Sequence, residues 1–418
     1  MQRLFGLFDV LFLAGVILLC PGVRAAALVA DSVSFTDVSN AVARASIGDT
    51  VLVPEGRAVW NSTLLITTPI VLSGAGPDRT VIVATNGPAL RFKPAVTSFL
   101  RLTRMAFVAT MSNYVVLIGG KGSGGVVIDA FRVDHCHFTG GLRAVCPRGW
   151  AYGVIDHCTF VNCNIAVGPI GDDSAAWQRP IEPGSTNAVY IEDNLFLLNN
   201  DAPREPNEQI YHQQGARSVT RFNTFDGTQL TKYNSMFFDS HGNWPAVSPS
   251  TPDDPMALAY RGQPIIEIYG NTFSAHHTYR FIHLRGGSVL AYSNILTTVS
   301  GSATAFHLSE EEAWSTSFWS PLRTNWPAHD QITNSFFWAN TLNGNPIQGV
   351  YANEASRIFI QEGRDFWLEP PSASNGLPQG IYASYRPLMY PHPLTIERQK
   401  ASNKPFPPSS LRISYVDR

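Results

Sequence analysis

The chain has 418 residues, of which 15% are charged, and its formal net charge is −2. That balance, with no basic stripe anywhere, excludes a protein held to nucleic acid by its overall field and gives no general attraction to a membrane surface. Aromatic residues make up 11% of the chain beside 33 Gly and 29 Pro, a composition that suits a core of stacked rings broken by many turns.

Residues 1–27 read as a secretory signal. Arg3 gives the positive start, Leu11 to Leu19 is apolar, and Val23 to Ala27 supplies small residues for cleavage. The apolar run is too short to span a bilayer comfortably, and no other segment reads as transmembrane. The expected mature protein is therefore exported, secreted or held in the periplasm or cell envelope, and monomeric. Export places Cys136, Cys146, Cys158 and Cys163 in an oxidising space. Cys136 and Cys158 fall at the same place in successive repeats, within reach of a disulfide if their strands stack about 4.8 Å apart. A Cys136–Cys158 bridge partnered by Cys146–Cys163 and a ladder of inert buried thiols are equal alternatives. No CxxC spacing marks a metal site.

Ser34 to Gly48 predicts a short amphipathic helix. Val38, Val42 and Ala45 share a face, Ser34 or Thr36 caps the start and Gly48 closes the end. A helix there would cover the open apolar end of a stack of strands. Strand-like hexamers follow (DTVLVPEG, STLLIT, PIVLSGAG, TVIVA), and one phrase then returns: RVDHCHF, GVIDHCTF, YIEDNLF, TRFNTF, EIYGNTF, AYSNIL. Its apolar anchors are Phe138, Phe160, Phe196, Phe225, Phe273, Leu296 and Leu342. Phe138 to Phe160 is 22 residues and Phe273 to Leu296 is 23, while Leu296 to Leu342 is 46 and reads as two steps. The longer gaps read as one coil carrying an inserted loop. A period in the twenties, built of strand units with no 3.6 periodicity, predicts an all-β solenoid, the parallel β-helix. Residues 28–364 form that domain on this reading. Residues 365–418, rich in Pro and aromatics, are expected to cap its last coil or run back along a side.

FTDVSNAVARASIGDTVLVPEG followed by TLLITTPIVLSGAG resembles the N-terminal signature of the pectate-lyase-like right-handed β-helix superfamily. EDNLF, RFNTF and YGNTF resemble its Asn-ladder turns. GARSVTRFNTFDG, SHG, HLRGG, EGRDFW and YPHPL resemble a secreted bacterial subset of that group whose activity is unassigned. The resemblance covers most of the mature chain and implies the right-handed fold. It does not choose a reaction, because the fold hosts lyases, hydrolases, esterases and adhesins.

Side chains alternate along a strand, so the residue two before the turn Asn should face outward. That column is Asp134, Asp156, Glu192, Arg221, Tyr269 and Tyr292; the column two further back includes Arg132, Tyr190 and Glu267. Carboxylates, an Arg and tyrosines stacked over a few coils would suit a sugar chain. A solvated face laced with ion pairs such as Glu192–Arg221 is the plain alternative. Five of the eleven His fall between His212 and His283, beside Arg217, Arg221, Arg261, Arg280, Arg285 and Glu267 and the longest insertion, 226–261. Long insertions on a solenoid carry binding surfaces. The expectation is that His241, Arg217, Arg285 and Glu267 converge there as a catalytic set, with Glu192, Arg221, Tyr269 and Arg261 binding substrate.

Such a set suits β-elimination of an acidic polysaccharide, in which a base takes a proton beside a carboxylate and cations hold the developing charge. Outward Asp and Glu could instead hold Ca²⁺ for that purpose, though no calcium-loop spacing is present. The rivals are a glycoside hydrolase using two carboxylates and a non-catalytic glycan-binding or envelope solenoid. Gly171-Asp172-Asp173-Ser174 and Ser240-His241-Gly242 resemble polygalacturonase motifs but stand too far apart in sequence, and the accompanying motifs are missing. Glu310-Glu311-Glu312 with Trp314, Phe318, Trp319 and Trp326 reads as a loop with sugar-stacking aromatics or as a packed Trp/Pro loop.

Overall fold

The computed structural model describes residues 25–110, 113–119, 127–171, 176, 179–242, 262–311, 324–328, 330–375 and 382–396. Most of the expected export signal, Asp172-Asp173, Arg261, and the segment holding Glu312, Trp314, Phe318 and Trp319 lie outside the described residues. Ser34 caps a helix, Phe35–Arg44, by accepting a hydrogen bond from the Asp37 N–H at 3.2 Å; Asp37 and Arg44 sit at the ends that the helix dipole favours. Val38, Ala41 and Val42 seal the apolar end of the stack. The helix stops at Arg44 rather than running to Gly48, which turns the chain with φ 86°.

Three columns of strands rise from that cap. Among the described residues the first sheet has twelve strands, from Ala27–Val29 to Phe366–Trp367, and the second has eleven, from Gly56–Trp60 to Asn345–Pro346. The third has two runs, four strands ending at Arg143–Arg148 and five beginning at Ile210–His212. Single bridges from Val145 to Val167 and from Val167 to Ile210 join these runs. Apart from the closing hairpin, Thr341–Leu342 with Asn345–Pro346, every strand pairing among the described residues is parallel. This is a right-handed parallel β-helix, the hand that parallel strand crossovers take.

The repeat phrase marks the turn from first sheet to second. Phe138, Phe160, Phe196, Phe225, Phe273 and Leu296 pair residue for residue on successive coils. Neighbouring Phe rings stack with centroids 4.3–5.1 Å apart from Phe138 to Phe273. Leu296 pairs directly with Leu342, so the 46 residues between them are one coil with a long insertion, not two coils. Asn194, Asn223, Asn271, Asn294 and Asn340 form a buried ladder in which each backbone N–H donates to the next side-chain oxygen at 3.0–3.1 Å. The residue before each ladder position adopts a left-handed conformation, as Asp193, Phe222, Gly270, Ser293 and Ala339 do. Cys136 and Cys158 stand in the ladder's first two places. Both are free thiols, as are Cys146 and Cys163, so the disulfide alternative is set aside. Burial pushes the Cys158 and Cys163 thiols well up, leaving them inert.

Residues 382–396 run back along the outer face of the first sheet. The Tyr385 hydroxyl donates to Glu267 at 2.6 Å, Arg221 donates to the Leu388 and Met389 carbonyls, and His392 N–H donates to Glu192 at 2.8 Å. Arg132 reaches the Leu394 and Thr395 carbonyls further on.

Candidate functional site

The outward columns of the first sheet are aligned as the sequence predicts: Asp134, Asp156, Glu192, Arg221, Tyr269 and Tyr292 follow one another in register. They are not an open surface. Glu192 and Arg221 are 0% exposed and Tyr269 is 4% exposed, because the returning C-terminal segment lies over them. Arg221 donates to Glu192 at 2.6 Å and to the Tyr269 hydroxyl at 3.0 Å. Upstream, Arg132 is bound to Asp156 and Arg101 to Asp134. The carboxylates considered for calcium, Asp134, Asp156, Glu192 and Glu267, are therefore taken up by guanidinium, hydroxyl or backbone N–H groups and do not fit the ion. Among the described residues no group of three or more His, Cys, Asp or Glu side chains could hold a metal.

Two members of the expected catalytic set also belong to this covered region. Arg217 donates to the Ala176 and Arg179 carbonyls at 3.0 and 3.1 Å, tying down a loop. Glu267 accepts from Gly184 N–H at 2.7 Å and from Tyr385; burial raises its carboxyl above the ordinary range. Neither joins His241 and Arg285, because the side chains of consecutive sheets point to different faces of the solenoid.

His241 and Arg285 do meet, on the third sheet. Ile210, Phe238, Ile282 and Phe306 pair in register and fill the core, so the residues after them, Tyr211, Asp239, His283 and His307, form an outward column. His241 and Arg285 lie two residues beyond Asp239 and His283 on the same face, and this cluster is buried too, with His241 5% exposed, Glu311 1% and Asp239 0%. Arg285 Nε is 3.1 Å from Asp239 Oδ1, its Nη2 pairs with Asp239 Oδ2, and its Nη1 is 3.4 Å from Glu311 Oε1. His241 Nδ1 is 3.1 Å from Glu311 Oε2 and its Nε2 is 3.7 Å from Asp239 Oδ2. Arg285 Nε also donates to His283 Nδ1 at 3.1 Å, while His283 Nε2 meets the Ser309 hydroxyl at 2.9 Å. The Tyr211 ring flanks His241 with centroids 4.7 Å apart.

Glycine makes this packing possible. A Cβ on Gly242 would stand 2.0 Å from the Arg285 carbonyl and 2.1 Å from an Asp330 carboxylate oxygen; on Gly286 it would meet the Asp330 carbonyl at 2.3 Å. Asp330 and Glu310 work on the backbone, accepting from Glu311 N–H and from Ile332 N–H respectively.

The electrostatics follow from burial and charge together. Burial alone would raise Asp239, but Arg285, with His283 and His241, overrides it and holds the carboxyl well below the usual range. Burial pushes His283 down to about 3, so that ring is neutral. Glu208 lies beside Arg280 at 3.5 Å, and burial with the Asp239 charge pushes it up to about 7. Asp239 and Glu208 escaped the sequence reading, and Glu311 entered it only as part of the Glu310-Glu311-Glu312 loop. Asp239 had a signal, since it precedes His241 by two in DSHG and alternation puts both on one face.

No protein-family model matches the chain, and no curated protein matches it. It is similar to the solved structure of an alginate lyase from Paenibacillus sp. str. FPU-7, at 12% identity over 78% of this chain and 99% of that one, TM-score 0.37. It is similar to a PL6 family polysaccharide lyase from Pseudopedobacter saltans at 14% identity over 76% of each chain, TM-score 0.40. The catalytic unit of a GH87 alpha-1,3-glucanase from Streptomyces thermodiastaticus strain HF3-3 gives 11% identity, 80% and 68% coverage, and TM-score 0.32. The architecture described above stands on the strand pairings of this chain.

Proposed function

We propose that this protein is an exported carbohydrate-active enzyme that cleaves an acidic glycan by β-elimination on the third sheet. One observation carries the reading: an imidazole, His241, is held between two carboxylates and packed beside a guanidinium, Arg285, on an outward column. On this reading the two carboxylates, Glu311 Oε2 at 3.1 Å from Nδ1 and Asp239 Oδ2 at 3.7 Å from Nε2, orient the imidazole that serves as the base. In the reaction, the His241 imidazole takes the proton from the carbon beside the uronate carboxylate. The electron pair forms the ring double bond and expels the glycosidic oxygen, which leaves as an alcohol once protonated. Arg285 is already bound by Asp239 and Glu311, so on this reading it sets the imidazole's field and position. The charge developing on the uronate falls to other cations of the face.

Glu208 gives a second reading a footing. A carboxyl near 7 beside a firmly ionised Asp239 has the form of the acid and base of a glycoside hydrolase, two carboxyls driven apart by their surroundings. The test is incubation with pectate, alginate and glycosaminoglycans while following the ultraviolet absorbance of unsaturated uronate. The expected result is a rise that falls about 10²–10⁴-fold in His241→Ala. New reducing ends without that absorbance, lost in Glu208→Gln, would move the assignment to hydrolysis. Neither product on any substrate would leave a glycan-binding solenoid.

A further inference from the structure

N-terminal to His241, the third sheet carries a guanidinium with no carboxylate beside it among the described residues. Arg143 opens the strand Arg143–Arg148 and is 7% exposed. Its Nη2 donates to Gln213 Oε1 at 2.9 Å, its plane lies 5.0 Å from the Tyr211 ring centroid and 5.9 Å from that of Tyr114, and the Cys146 thiol is beside it. Its Nη1 is buried with no hydrogen-bond partner. Among the described residues no carboxylate lies within ion-pair distance of Arg143, whereas Arg101, Arg132, Arg221, Arg280 and Arg285 all have one. A buried charge with no counter-charge is costly, and folds rarely keep one unless something supplies the opposite sign.

The surroundings hold Arg143 in place for that purpose. Gly168 leaves the gap it crosses: a Cβ there would stand 2.8 Å from Arg143 Cδ. Gln213, which accepts from the guanidinium, donates its own Nε2–H to the Tyr211 hydroxyl at 3.1 Å, and Tyr211 is the ring that flanks His241. Part-exposed Tyr211, Gln213 and Arg148 frame the spot, and Arg148, like Arg91 and exposed Lys93 on earlier coils, also has no carboxylate partner among the described residues.

We propose that Arg143, positioned by Gly168 and Gln213 and assisted by Arg148, is an anion subsite that takes the carboxylate or sulfate ester of one sugar of a glycan lying along the third sheet toward His241. The proposal deepens the acidic-glycan reading by naming where the charge is recognised, and it rests on that reading only for the nature of the polymer. A guanidinium presents donors in a planar fork that matches either oxyanion. No covalent step is involved.

The test is titration of the full-length protein with polygalacturonate, alginate, dextran sulfate and neutral dextran at low and at moderate salt, beside thermal melting without ligand. Arg143→Gln is expected to weaken anionic polymers at least tenfold, to leave dextran unchanged and to melt no lower than the wild type, since it removes an unpaired buried charge. Gly168→Ala keeps the arginine but displaces it, and is expected to weaken the same polymers with little change in melting. Preference for the uronates over dextran sulfate assigns a carboxylate site, and the reverse a sulfate site. Equal binding by wild type and both variants overturns the proposal, as does a large drop in melting temperature for Arg143→Gln with affinity intact in its folded fraction. Arg143-dependent binding with no cleavage by the wild type would refute the elimination reading and leave the subsite standing. Cleavage unaffected by Arg143→Gln at limiting substrate would do the opposite.

Discussion

Arg221 Nε donates to Glu192 Oε2 at 2.6 Å, and neither side chain has any exposed surface. On the open face expected from the sequence this pair would be a sugar contact. Under residues 388–392 it is a buried ion pair, and removing one partner of such a pair strands the other charge. Arg221→Met should therefore cost about 3–5 kcal/mol by denaturant unfolding, and the double variant Arg221→Met with Glu192→Leu should recover most of it. Glycan affinity of the folded fraction should not change. A loss of affinity without loss of stability would return this face to the substrate.

The Asn ladder is expected to be a principal brace of the fold. Asn271 accepts from Asn223 N–H at 3.0 Å and donates to the Thr220 and Tyr269 carbonyls at 2.9 and 3.2 Å, all away from water. Asn271→Ala leaves those groups without bonds, at roughly 1–3 kcal/mol for each. Asn200→Ala, which removes bonds from exposed positions, should cost under about 0.5 kcal/mol. Comparable urea midpoints for the two variants would refute the ladder's role.

Acid should weaken the fold between pH 6.5 and about 3. His212 is fully buried, its Nε2 2.5 Å from the Ser218 hydroxyl, and burial pushes it down to about 3, as it does His283. The folded value lies below the unfolded one near 6.5, so the unfolded chain takes up protons first. The stability is present above 6.5 and is lost as pH falls, at up to roughly 1.4 kcal/mol per pH unit for each histidine. Asp239 is depressed and keeps its contribution until pH falls below the ordinary carboxyl range, so it does not explain the upper part of that window. His212→Gln should flatten the dependence of the urea midpoint on pH between 7 and 4.5; an unchanged slope would place the acid sensitivity elsewhere.

Cys136, Cys146, Cys158 and Cys163 are free and buried. Alkylation without reductant should label none of the four in the native protein and all four after unfolding. A pair that resists alkylation until reduced would reinstate the bridge, with Cys136–Cys158 the first to examine.

The sequence by itself determined the solenoid. Each coil repeats the same local demand, a left-handed turn residue, an Asn that bonds to its neighbours and a Phe that stacks, so the periodicity, the anchor residues and the outward columns were all legible. Alternation along a strand also put Asp239 and His241 on one face. What covers each column was decided only by the tertiary structure. The C-terminal residues that cover Glu192, Arg221 and Tyr269 come from far along the chain, and no local pattern marks where a Pro-rich segment will lie. The meeting of His241, Asp239, Arg285 and Glu311 is likewise a product of coil stacking. Insertions of unequal length break the sequence period on the third sheet, so its columns align only once the strands have paired.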